Sequence, residues 1–112
     1  MKPEVKSDFP PFLSLFNPLS GNKDKPIDVK EGETITILEE LHPPETEKIN
    51  SWLIGKVQLD NGEIRTLGLN MSSYFTISKV YGEDTKDWIG KDLVFCGFKK
   101  LGKGHGYLWQ AL

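Results

Sequence analysis

The tetrapeptide Asp60-Asn61-Gly62-Glu63 does most to limit the fold, because it separates two β-type runs, residues 51–59 and 64–69. Asn-Gly is the strongest short-range signal for a two-residue hairpin, since both central residues of a type I′ turn take positive φ. Such a turn sets Leu59 opposite Ile64, Gln58 opposite Arg65, Val57 opposite Thr66 and Lys56 opposite Leu67. Each face of that ribbon then mixes apolar and polar residues, so the pattern leaves open which face is buried. A β-bulge at Gly55 or Gly68 would let a curved strand change the residues it turns inward.

Upstream, Gly32-Glu33-Thr34-Ile35-Thr36-Ile37-Leu38 alternates β-branched residues with period two and predicts another strand. The connection His42-Pro43-Pro44-Glu45-Thr46-Glu47-Lys48 is polar, and its proline pair continues neither a helix nor a strand ladder. Downstream, Asn70 reads as a helix cap, Met71, Tyr74, Phe75, Ser78 and Tyr81 recur at helical spacing, and Gly82 supplies the stop. The acidic turn 84–91 then leads to a strand over 92–99, a glycine-rich loop over 101–106 and a last strand over 107–112. Trp88 and Ile89 are expected to plug one end of the core, and Glu83, Asp84 and Asp87 suit helix capping better than a Ca²⁺ loop.

The order strand, strand, strand, helix, strand, strand predicts an all-β domain with one short helix, a five-stranded OB-fold barrel, over residues 27–112. A β-roll or an SH3-like barrel satisfies the same count. Residues 1–26 hold Pro3, Pro10, Pro11, Pro18 and Pro26 and are expected to form an extended arm. Its stretch Phe9-Pro10-Pro11-Phe12-Leu13-Ser14-Leu15-Phe16 is too apolar for a free tail and should pack on the barrel, a partner or a second copy.

At 112 residues and 38% hydrophobic content the chain can build one core. No apolar run approaches the roughly 18 residues of a membrane span, and the first six residues lack the order of a secretory signal, so a cytoplasmic setting is expected. Cys96 is the only cysteine and reads as a small hydrophobe on a strand; with His42 and His105 it makes no metal-ligand set, and no cofactor is expected. No nucleophile and base, or pair of carboxylates, assembles into catalytic machinery, so a non-enzymatic protein is expected.

The segment Leu67-Gly68-Leu69-Asn70, followed by Tyr81-Gly82-Glu83-Asp84-Thr85-Lys86-Asp87-Trp88-Ile89-Gly90-Lys91, resembles a family of small archaeal and phage OB-fold proteins. The resemblance runs over about residues 30 to 112. It implies the OB fold and, through that barrel type, single-stranded DNA binding. Members often carry Lys two positions after the L-x-L-N strand end, where this chain has Ser72.

Charge divides unevenly along the chain. Residues 1–47 hold five lysines against ten acids, a net of −5, and residues 48–112 hold nine cations against six acids, a net of +3. A basic face on the C-terminal part is therefore expected to attract a polyanion. OB barrels bind single strands by stacking bases on aromatic rings beside a cationic groove. Trp52, Lys56, Gln58 and Arg65 are expected to share one face of the second and third strands. Lys99, Lys100, Lys103 and His105 would border the same cleft from the last hairpin loop, which is not a P-loop because no helix start with Gly-Lys-Ser/Thr follows it. Alternation puts Tyr107 and Trp109 on one face of the last strand and Leu108 and Leu112 on the other, so Trp109 stacks on ligand only if the leucines turn inward. Glu39, Glu40, Glu45 and Glu47 would repel phosphate if their loop bordered the cleft.

The expected ligand is single-stranded DNA or RNA, bound without strong sequence preference. The alternative is a protein-interaction subunit that uses the arm Phe9 to Phe16 and the acidic loop for a partner or for self-association.

Overall fold

The computed structural model describes residues 10–16, 26–49, 51–102 and 104–112. Lys103 and most of the arm, residues 1–9 and 17–25, lie outside the described residues. β1 (Thr34–Ile37) is the central strand of one antiparallel sheet. Its threonine-isoleucine alternation turns Ile35 and Ile37 fully inward, and the outward Thr36 Oγ1 donates to Asp92 Oδ1 at 2.6 Å. With β2 (Leu53–Gln58), β3 (Ile64–Leu69), β4 (Asp92–Leu101) and β5 (Gly104–Ala111) the sheet runs β3-β2-β1-β4-β5. Among the described residues no ladder joins β3 to β5, so the sheet is not closed into the expected barrel.

The hairpin between β2 and β3 has a three-residue loop, Asp60-Asn61-Gly62, rather than the two-residue turn expected. Only Gly62 takes positive φ, +92°, while Leu59 N–H donates to Glu63 O and Gly62 N–H to Leu59 O. This is the type I turn plus left-handed glycine of longer hairpins. It slips the register by one: Val57 faces Arg65, and Lys56 faces Thr66. Because a one-residue slip exchanges faces, Lys56 and Gln58 share the outer face, whereas Arg65 stands with Val57 and Leu67 on the inner one.

β2 and β3 pair without a bulge. The irregularity lies instead in β4, between Phe95 and Phe98, where Gly97 takes φ +95° and a Cβ would stand 2.9 Å from the Glu31 carboxylate. Only glycine suits that position. β4 and β5 continue their pairing as far as Leu101 opposite Gly104, so the expected 101–106 loop is mostly ladder.

α1 (Met71–Tyr81) follows β3 directly. Asn70 Oδ1 accepts from Ser73 N–H as the N-cap, and Gly82, at φ +103°, closes the other end with N–H to Ser78 O. The helix buries Ser73 and Ile77 against the sheet, while Met71 and Phe75 project into solvent, contrary to the face expected from their spacing. Trp88, at the end of a 3₁₀ turn (Thr85–Trp88), is sealed, and its Nε1 donates to Gly82 O at 2.8 Å; Ile89 is half exposed and plugs nothing. Thr85 Oγ1 clasps both the N–H and the C=O of buried Leu41, which fixes the β1–β2 connection. No helix among the described residues is long and apolar enough to cross a membrane.

The described part of the arm lies on this chain's own sheet. Phe12 makes a parallel bridge with Thr66 on the free edge of β3: Leu13 N–H donates to Thr66 O, Thr66 N–H to Pro11 O, and Thr66 Oγ1 to Pro10 O. Asp28 then holds the arm down, since Oδ2 accepts from Ser14 N–H at 2.9 Å and from Arg65 Nε at 3.2 Å, and its own N–H donates to Ser14 O. Leu15 is buried in the main core.

Candidate nucleic-acid interface

The gap between β3 and β5 forms a cleft of about 440 Å³. Its walls follow from strand parity, because backbone groups point alternately to either side of a strand. Thr66 spends both its groups on the arm, so Gly68, two residues on, also turns its N–H and C=O away from β2 and toward the gap. Across it, Tyr107 O accepts from Asn70 Nδ2 at 2.8 Å and Ser73 Oγ at 3.2 Å, and Trp109 N–H donates to Ser73 Oγ at 3.0 Å. Two side chains at the start of α1 thus bridge to the edge of β5 where a strand ladder would otherwise run.

Beyond that bridge the inner face of the β4–β5 hairpin stands open. The bulge at Gly97 brings Phe98 opposite Tyr107, and Lys100 falls opposite His105. The Phe98 and His105 rings are stacked, with centroids 5.9 Å apart and planes 6° from parallel, and Tyr107 meets Phe98 edge-on at 5.2 Å. These three rings and Phe12 of the arm line the cleft, together with Ser51, which packs over Gly68, and Asn70, which packs beside Gly106. Lys100 and His105 are exposed, and Lys99, on the other face, has an ion pair with Glu31 at 3.9 Å. Exposed at both ends, that pair contributes about 0–1 kcal/mol.

Of the expected site residues, Tyr107 and His105 line the cleft and Lys100 shares their face, whereas Lys99 lies on the opposite face and Lys103 is outside the described residues. Trp52, Lys56, Gln58, Arg65 and Trp109 do not join them. Trp109 is fully buried in the core, because the Tyr107 and Trp109 face is the inward one, and its Nε1 has no acceptor among the described residues. Arg65 is engaged by Asp28 and, at 3.0 Å, by Glu63, so it clamps the arm and leaves no free guanidinium for a phosphate. Lys56 and Gln58 lie on the outer face, and the Lys56 N–H donates to Glu39 Oε2. Trp52 is 41% exposed but packs on α1, edge-on to Tyr74 at 4.9 Å, and does not line the cleft. None of Glu39, Glu40, Glu45 and Glu47 lines the cleft either, so the expected repulsion does not arise there.

Phe98 also lines the cleft, as do Phe12 of the apolar arm and Asn70 of the helix cap, none of which the sequence places at a ligand site. Plain alternation from Phe95 puts Phe98 on the opposite face, and only the positive-φ glycine between them reverses that assignment.

Cys96 is half-buried on β4, and burial pushes its thiol pKa up, with Glu31 adding to the rise and Lys99 opposing it. A raised pKa lowers the thiolate fraction at neutral pH. Alkylation by iodoacetamide should therefore run several-fold slower than that of free cysteine at the same pH, as followed by mass spectrometry. A rate equal to free cysteine would show that the thiol is neither shielded nor shifted. Among the described residues no three of His, Cys, Asp or Glu gather in a way that could hold a metal ion. No protein-family model, no curated protein and no solved structure matches this chain.

Proposed function

We propose that this chain is a non-enzymatic OB-type module, opened between β3 and β5, that binds single-stranded nucleic acid in the open cleft. The single observation that carries the reading is the joining of rings and cation on one concave face: Phe98, His105 and Tyr107 beside Lys100. Bases stack on such rings for about 1–3 kcal/mol each, while lysines attract the backbone. The order of strands and helix is the one an OB barrel has before its last pairing closes.

The test is fluorescence anisotropy of a fluorescein-labelled oligothymidylate of about 15 nucleotides, within the upper range of one OB-fold site. At low salt the anisotropy should rise with protein and the affinity should fall as salt is added. His105→Ala should weaken binding by about 1 kcal/mol or more through lost stacking. Lys100→Glu should weaken it and flatten the salt dependence by about 0.7 in log–log slope, the share of one phosphate contact on a single strand. Both side chains are exposed, so neither change threatens the core. No rise in anisotropy at tens of micromolar protein defeats the proposal.

A further inference from the structure

Trp52 is left without a role by the cleft, yet it is the one tryptophan of three that reaches solvent. It leans on Tyr74 edge-on at 4.9 Å and lies 6.2 Å from Phe75 with planes tilted by 34°, so the two outer rings form a shallow platform over the first half of α1. Met71 and Phe75 are 48% and 52% exposed, and Lys79 continues their i, i+4 stripe. α1 contains no acidic residue.

The platform adjoins the cleft through the chain itself. Ser51 and Asn70 line the cleft, and the residues that follow them in sequence, Trp52 of the platform and Met71 at the start of α1, are both exposed. A strand leaving the hairpin rings past Gly68 therefore meets Trp52 without crossing an acidic surface of the helix.

We propose that Trp52 and Phe75 form a second stacking subsite, with Lys79 as its cation, for the outgoing end of the single strand held in the cleft. This rests on the reading given under Proposed function and extends it by fixing the path of the strand. Aromatic rings and a lysine on an acid-free helix suit a polyanion with stackable bases better than a basic or acidic peptide.

Two oligothymidylates separate the subsite from the cleft: one of about five nucleotides, enough for the hairpin rings, and one of about 15, enough to continue over α1. The longer should bind at least about tenfold more tightly. Trp52→Ala should abolish most of that advantage while leaving the shorter oligonucleotide's affinity within about twofold. Phe75→Ala and Lys79→Glu, both at exposed positions, should each reduce the advantage in the same direction without touching the Trp52–Tyr74 packing. The longer oligonucleotide should also quench the tryptophan emission of the unaltered protein, and the quench should disappear in Trp52→Phe. If the labelled oligonucleotides bind but Trp52 is unquenched and all three variants keep the length advantage, the subsite is overturned and the cleft stands. Should neither oligonucleotide bind the unaltered protein, the cleft reading fails first and the subsite with it.

Discussion

Trp88→Ala should lower the unfolding free energy by about 3–5 kcal/mol, the range for emptying a large buried aromatic site. The indole is fully enclosed, stacks on Tyr74 with centroids 5.6 Å apart and planes 28° from parallel, and ties the end of α1 to the 3₁₀ turn through Nε1 to Gly82 O. Truncation removes ring contacts and leaves the Gly82 carbonyl without that donor. The surrounding backbone can relax only partly, because Thr85 holds Leu41 on the same turn. Urea unfolding, with the slope checked for constancy, measures the loss directly. A change below about 1 kcal/mol would mean that the ring contributes little to the core and that the gap it leaves collapses readily.

Ser73→Ala should cost about 1–3 kcal/mol, far more than the removal of one hydroxyl from an exposed helix position. The Ser73 hydroxyl accepts from Trp109 N–H and donates to Tyr107 O, so its loss leaves a buried amide without a partner and loosens the junction between α1 and β5. Tyr107 O keeps its bond from Asn70 Nδ2, which limits the damage to one side of the bridge. Amide hydrogen exchange locates the effect: the Trp109 amide should exchange faster, while the amides of β1, paired on both sides, should follow only the global change in stability. Unchanged exchange at Trp109 would show that Ser73 does not hold the edge of β5.

The order of elements was readable because each carries its own local signal. Asn70 and Gly82 bound α1 as caps, and Thr-Ile alternation marks β1 as a half-covered strand. The facing of side chains was not readable, and two glycines explain most of the difference. Gly62, as the third residue of its loop rather than the second of a two-residue turn, moved the β2–β3 register by one and turned Arg65 inward. Gly97 reversed parity in β4 and brought Phe98 to the face of Phe95. Burial of the helix was misjudged for a different reason. The period-3.6 pattern through Met71 and Phe75 is real, but tertiary contact covers the stripe of Ser73 and Ile77, and the small Ser73 lets β5 come close enough for hydrogen bonds to its hydroxyl. Arg65 reads as a free cation in the sequence although the structure pairs it with two carboxylates, Glu63 on the same strand end and Asp28, which lies 37 residues away.

The arm against β3 has a consequence for how copies of this protein meet. An uncovered strand border is a template on which further chains can add, one after another. Here Pro11 and Leu13 pair with Thr66 along part of that border, and Pro10, just ahead of them, has no amide hydrogen to offer a further strand. The segment whose prolines keep it out of regular structure thus takes up, from within the same chain, a stretch of edge on which another copy could otherwise pair.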